Sequence, residues 1–223
     1  MGKRLLTEVK ALFLKEVMLE WRQKYAFNSI LVYIVSTVFV CYLSFNLRLP
    51  DAITWNALFW IILLFAAVNG ISKSFQQERE GRIYFYYQLA SPEAIIIAKI
   101  LYNACFMIVI SLTGLLIFSL VLGNPVQDNL LFMLNIVLGS VGFSATLTMI
   151  SGIASKADNN GSLMAIMGLP VVLPLLLMLI KVSKNAMDGL ARSASINEFI
   201  SITAIITIVI TVSVMLFPYL WRS

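Results

Sequence analysis

The sequence predicts an all-α membrane protein, in which six spanning helices follow an amphipathic N-terminal helix and both termini lie on one side. Three observations carry this. Of the 223 residues, 60% are hydrophobic and only 12% charged, roughly half the charged share of a soluble domain. Six apolar runs each reach the roughly 20 residues needed to cross the hydrocarbon core of a bilayer. The Lys and Arg residues gather in alternate loops. The chain reads as a single transmembrane domain over 1–223 with a mean hydropathy of +0.91.

Residues 1–24 form the amphipathic element. At 100° per residue, Leu5, Leu6, Val9, Leu12 and Phe13 share one face and Arg4, Lys15 and Arg22 gather opposite, as on a helix at a membrane surface. Glu16 and Glu20 break the apolar face one turn apart and turn the second half of the helix towards water or protein. The charged region is too long for a cleavable signal peptide. The spans, within 25–222, fall at 25–45, 52–71, 93–122, 130–154, 162–180 and 199–220. The third is the longest and has the clearest start: Ser91 as N-cap, Pro92 at the first helical position and Glu93 in the first turn. It begins in the interface before Lys99 and then enters the membrane. Two connections are long: 74–92, dense in charge and aromatic rings, and 181–198.

Orientation follows from the bases. The side holding both termini collects 12 Lys and Arg and the other side only four, Arg48, Lys181, Lys184 and Arg192. The positive-inside rule makes both termini cytoplasmic and 181–198 an outer loop. The net charge of +5 thus orients the chain against anionic lipid, and no nucleic-acid motif accompanies it. Histidine is absent, which removes histidine-ligated metal and the usual catalytic triads. Cys41 and Cys105 sit in different spans without CxxC spacing and read as buried small hydrophobes. No Walker A pattern occurs, so ATP is not bound in the P-loop manner.

No Asp, Glu, Lys or Arg lies deep in a run, which disfavours ion-coupled carriers and charge-selective channels. Gly139, Gly142 and Thr146 form a small-residue stripe on the fourth span. It suits close packing within the chain or an interface with another subunit, a second copy included. Pro170 and Pro174, one turn apart in the fifth span, free the carbonyls of Ile166 and Pro170 and should kink or unwind the helix, as a static bend or as a gate. Tyr25, Trp55, Tyr84, Tyr86, Tyr87, Tyr219 and Trp221 fall near span ends, as in an interfacial belt.

The amphipathic helix, six spans and a Glu78-Arg79-Glu80-Gly81 element leading into Leu89-Ala90-Ser91-Pro92 and Ala98-Lys99 occur together with Leu169-Pro170-Val171-Val172-Leu173-Pro174-Leu175-Leu176. This arrangement resembles the permeases of type-2 ABC exporters, and among them the haem exporter B (CcmB-type) subunits of bacterial cytochrome c maturation. Where that family commonly continues in a Leu-rich segment, this chain has Ile83-Tyr84-Phe85-Tyr86-Tyr87. The resemblance implies a multi-pass protein of the bacterial inner membrane. It also implies a partner ABC ATP-binding subunit on the cytoplasmic face and further membrane subunits of cytochrome c maturation. Haem enters as substrate, with no covalently bound cofactor. Since ATP hydrolysis then belongs to another chain, 74–92 becomes a coupling segment, with Phe75, Glu78, Arg79, Glu80, Gly81 and Arg82 as candidate contacts. On the outer side Lys181, Lys184 and Arg192 are candidate anion contacts, for haem propionates among others. Two alternatives keep the same architecture: a small type-2 exporter of lipid, glycan or drug, and a scaffold subunit that moves nothing.

Overall fold

A computed structural model of the chain describes residues 2–23, 25–46, 48–71, 75, 90–155 and 160–222. Among them lie seven α-helices: α1 (Gly2–Gln23), α2 (Tyr25–Ser44), α3 (Ala52–Ile71), α4 (Pro92–Leu122), α5 (Asn129–Ala154), α6 (Asn160–Met187) and α7 (Ile196–Arg222). A 3-10 turn, Arg192–Ser195, leads into α7. Six of the helices, α2 to α7, are long and apolar enough to cross a membrane.

Helix α5 is the centre of the bundle. It packs against α3, α4, α6 and α7, and it is the most buried of the six spans, α2 the least. In lipid there is little hydrophobic force between helices, so association rests on close contact and interhelical hydrogen bonds. Both are built into α5. Asn103 of α4 donates to Thr148 Oγ1 at 2.8 Å, Ser144 donates to the Ile100 carbonyl at 2.8 Å, and Ser140 donates to Ser111 at 3.1 Å. Towards α6, the Asn135 amide donates to the Leu179 carbonyl and to Ser183 Oγ, each at 2.8 Å. Ser183 also accepts from Trp60 Nε1 of α3 at 2.7 Å, and Asn56 donates to the Ile180 carbonyl at 2.9 Å. Three helices therefore share one buried polar knot.

Gly139, Gly142 and Thr146 are all buried inside the chain. A Cβ on Gly139 would stand 2.8 Å from the Trp60 ring, and one on Gly142 would stand 2.6 Å from Leu175. Of the two uses open to this stripe, the structure gives it packing within the chain. The exposed side of α7 follows a different rule. Thr203, Thr207 and Thr211 each donate to the carbonyl four residues earlier, so their hydroxyls face lipid already satisfied.

Several expectations change. Helix α6 runs unbroken through Pro170 and Pro174, and both prolines are exposed. The helix therefore does not unwind there. It also continues past the expected end to Met187, so Lys181 and Lys184 belong to a helix and not to an outer loop. Trp55 is no interfacial residue: fully buried, it stacks with Phe59 and meets Phe118 edge-on, and its indole N–H donates to the Gly123 carbonyl. That carbonyl belongs to a glycine of positive φ (74°), a conformation glycine adopts without penalty. Cys41 is half-buried and Cys105 exposed, both free, so Cys105 is not the buried hydrophobe expected of it.

Candidate coupling site

Helix α1 is joined to α4 by two polar contacts spaced alike on both helices. Glu8 Oε2 accepts the Ser91 amide N–H at 3.0 Å and the Ser91 hydroxyl at 2.8 Å. Eight residues further along each helix, Lys99 Nζ donates to Glu16 Oε1 at 3.4 Å. Equal spacing over two turns, about 12 Å, means that α1 and the start of α4 run side by side in the same direction. Val9 packs between them against Ala94 and Ala98, whose small side chains allow the approach. The face of α1 turned inward is therefore Leu5, Glu8, Val9, Leu12 and Glu16. Leu6, assigned to that face by periodicity, is 68% exposed. The acids belong to the protein-facing side because their partners are there.

Ser91 does occupy the N-cap position of α4, in extended conformation, but its hydroxyl does not cap its own helix. Glu8 does so instead, placing a carboxylate where the helix N-terminus is electropositive. The Ser91 amide, helped by the Ser91 hydroxyl, holds the Glu8 carboxyl below the usual range. Glu20 acts similarly one helix on, accepting the Phe27 amide N–H in the first turn of α2 at 3.0 Å.

Lys99 is the node of the site. It is 3% exposed, an uncommon state for a lysine unless paired. Besides Glu16 it faces the Phe75 ring, 4.7 Å from the centroid, a cation–π distance. Phe75 is itself buried and packs on Phe217 of α7 with centroids 5.6 Å apart. Burial pushes the Glu16 carboxyl up, but Lys99 and Lys15 outweigh it and the net direction is down. Lys15 lies 2.9 Å from the same oxygen. One cluster thus joins α1, the start of α4, the end of α7 and the first residue described after α3.

Of the coupling candidates, Phe75 alone is placed by the structure. Glu78, Arg79, Glu80, Gly81 and Arg82 lie outside the described residues. On the opposite side of the bundle, Lys181 pairs with Glu198. Arg192 grips Asp128 through Nε at 2.6 Å and Nη2 at 3.1 Å, and its hydrogen bond is the chief reason that Asp128 is held below its usual range. Lys184 is exposed and makes no salt bridge among the described residues. Two of the three bases are thus already paired with acids. Glu198, read from sequence only as the end of a loop, is buried in the first turn of α7. The signal that could have located the Lys99 cluster was present: three acids on one side of α1 at 8, 16 and 20, and a lysine within an apolar run.

No curated protein matches the chain. A family model does, that of the CcmB protein, over residues 7–220. The six spanning helices and this nearly full-length match together place the chain in the CcmB family, the ABC transporter permeases of haem export and cytochrome c maturation.

Proposed function

We propose that this permease couples ATP hydrolysis by a separate ATP-binding subunit to haem translocation, or to release of a haem-loaded chaperone. In this reading the subunit sits in the bacterial inner membrane with both termini cytoplasmic, and the ATPase docks on segment 74–92. The observation that supports it best is the Lys99 cluster. A coupling element transmits force only if its ends are tied to the helices that must move. Phe75 is held under Lys99 and against α7, and Ser91 is held by Glu8. A push on the segment between them reaches α1, α4 and α7 together.

Haem here is substrate. A chain without histidine offers no imidazole axial ligand, so contact would be through apolar surface or through bases paired with propionates. Among the three outer bases, Lys184 is the readiest for that role, since Lys181 and Arg192 already face Glu198 and Asp128. The test lies in the docking charges. Glu78→Ala and Arg79→Ala should lower ATP-dependent production of holocytochrome c while the subunit still inserts and still co-purifies with its membrane partners. Normal holocytochrome in both variants would sink the coupling role and favour a scaffold.

A further inference from the structure

An open groove of about 580 Å³ lies where the second half of α1, the start of α2 and the middle of α4 diverge. Its apolar walls include Val17 and Trp21 on one side and Phe106 and Val109 on the other, with Glu20 and Tyr102 adding polar atoms. The volume is within the roughly 300–1,000 Å³ range of ligand-sized cavities. The coupling reading above makes no use of it.

Position along α4 decides what could fill it. The 31 residues of α4 make a helix about 46 Å long, against a hydrocarbon core of about 30 Å. With Leu122 at the far edge of the core, the near edge falls about 20 residues earlier, close to Tyr102. The groove, which follows α4 from Tyr102 to Val109, covers about 10 Å and stays within the leaflet on the side of α1. A spanning helix of a partner needs a trough the full thickness of the core. An acyl chain anchored at that leaflet's surface does not.

The headgroup is set by charge. Glu20 stands where α1 meets α2, at the headgroup end of the groove, and is held there by the Phe27 amide. A carboxylate at that depth attracts an ammonium and repels a second carboxylate or an uncompensated phosphate. Arg22, exposed and adjacent to Trp21, is available to a phosphate. We infer that the groove seats one acyl chain of a phospholipid whose amine-bearing headgroup, as in phosphatidylethanolamine, pairs with Glu20. An anionic amphiphile such as haem would bring its propionates against the same acid.

Trp21 reports on this directly. Trp55 and Trp60 are fully buried, so in a Trp221→Phe background quenching by brominated lipid comes from Trp21. The full chain is reconstituted in nanodiscs of phosphatidylcholine carrying brominated phosphatidylethanolamine or, separately, brominated phosphatidylglycerol. The amine lipid should quench at about tenfold lower mole fraction, the scale of one charge-assisted contact. Glu20→Gln keeps an acceptor for the Phe27 amide and should abolish the preference without changing helicity. Native mass spectrometry of the wild type released from mixed vesicles should retain one phosphatidylethanolamine, and Val109→Phe, which fills the groove, should lose it. Equal quenching by the two lipids, an unchanged preference in Glu20→Gln, or retention of the lipid by folded Val109→Phe would each overturn the assignment. So would crosslinking of Cys105, on the groove wall, to a second copy or another subunit in the assembled complex.

Discussion

Glu16→Leu should cost the fold about 3 kcal/mol, and Lys99→Met clearly less. Truncating one member of a buried ion pair costs about 3–5 kcal/mol because the other charge is left in a low dielectric. In Glu16→Leu the charge left behind is the Lys99 ammonium, whose side chain is 3% exposed. The Phe75 ring offsets about 1 kcal/mol of that burden, which places the loss at the lower end of the range. In Lys99→Met the charge left behind is Glu16, 16% exposed and still beside Lys15 at 2.9 Å, so about 1–2 kcal/mol is expected. The double variant leaves neither member of this pair for burial to penalise and should lie within about 1 kcal/mol of the parent. The coupling energy is then about 3–5 kcal/mol, with the double variant more stable than the sum of the two single losses implies. Reversible unfolding of all four proteins in bicelles, followed by circular dichroism, measures it. Additive losses, or Lys99→Met as the more damaging change, would refute the pairing.

The pair also sets a pH dependence. The Glu16 carboxyl is driven up by burial and more strongly down by Lys99 and Lys15, ending below the ordinary 4.5. A carboxyl depressed by folding stabilises the native state above its unfolded value, and that contribution is lost as pH falls through the folded value. The Glu16 contribution should therefore be constant from about pH 7 to about pH 5 and decline below that. Glu16→Leu should flatten part of the acid limb. Glu8, depressed by Ser91, accounts for a further part that Glu16→Leu leaves in place.

Other consequences are local. Gly139→Ala meets the Trp60 ring, which is pinned by its bond to Ser183, and should cost about 1–3 kcal/mol. Gly142→Ala meets chiefly the flexible end of the Leu175 side chain, with Ile206 at ordinary contact distance, so it should cost less; the reverse order in bicelle unfolding would contradict this packing. Asn135→Leu removes two hydrogen bonds between α5 and α6 and should cost about 1–2 kcal/mol, the upper part of the range for such bonds in membranes. A loss below the assay error would mean that the polar knot contributes nothing net. Pro170→Ala with Pro174→Ala returns two amide donors to an already continuous helix and should stabilise it. If the prolines serve a gate, the labelling of cysteines introduced nearby should fall along with activity, whereas unchanged labelling and activity leave only a static element.

The spans were legible because hydrophobic length is a direct physical requirement of the bilayer. The second span matches α3 residue for residue, and the others differ by a few residues at their ends, apart from α6. The sequence ends that helix before Lys181 because charge ordinarily marks the edge of a span. Lys181 instead finds Glu198 on α7, and a paired, exposed lysine does not end a helix. Trp55 departs from its sequence reading for a related reason: an aromatic ring near a boundary fits a belt, and only the fold reveals the Gly123 carbonyl that lets it be buried. The acids of α1 could not be assigned from periodicity, since an isolated amphipathic helix turns carboxylates to water. Their inward direction depends on Ser91 and Lys99, 83 residues away in both cases.

Those acids give α1 a more definite part than that of a surface helix. Glu8 caps the N-terminus of α4, Glu20 receives the first-turn amide of α2, and Glu16 holds the buried base on α4. The starts of two spans are therefore referenced to a single rigid element of 22 residues. If α4 shifts by one turn along α1, the Glu8 and Glu16 contacts break together, because they share one spacing. A graded slide would pass through states with a carboxylate and an ammonium both buried and apart, which the interior opposes. The junction therefore favours discrete positions over continuous ones. In the coupling proposed for segment 74–92, stepwise drive by ATP would need that property where the segment meets the membrane helices.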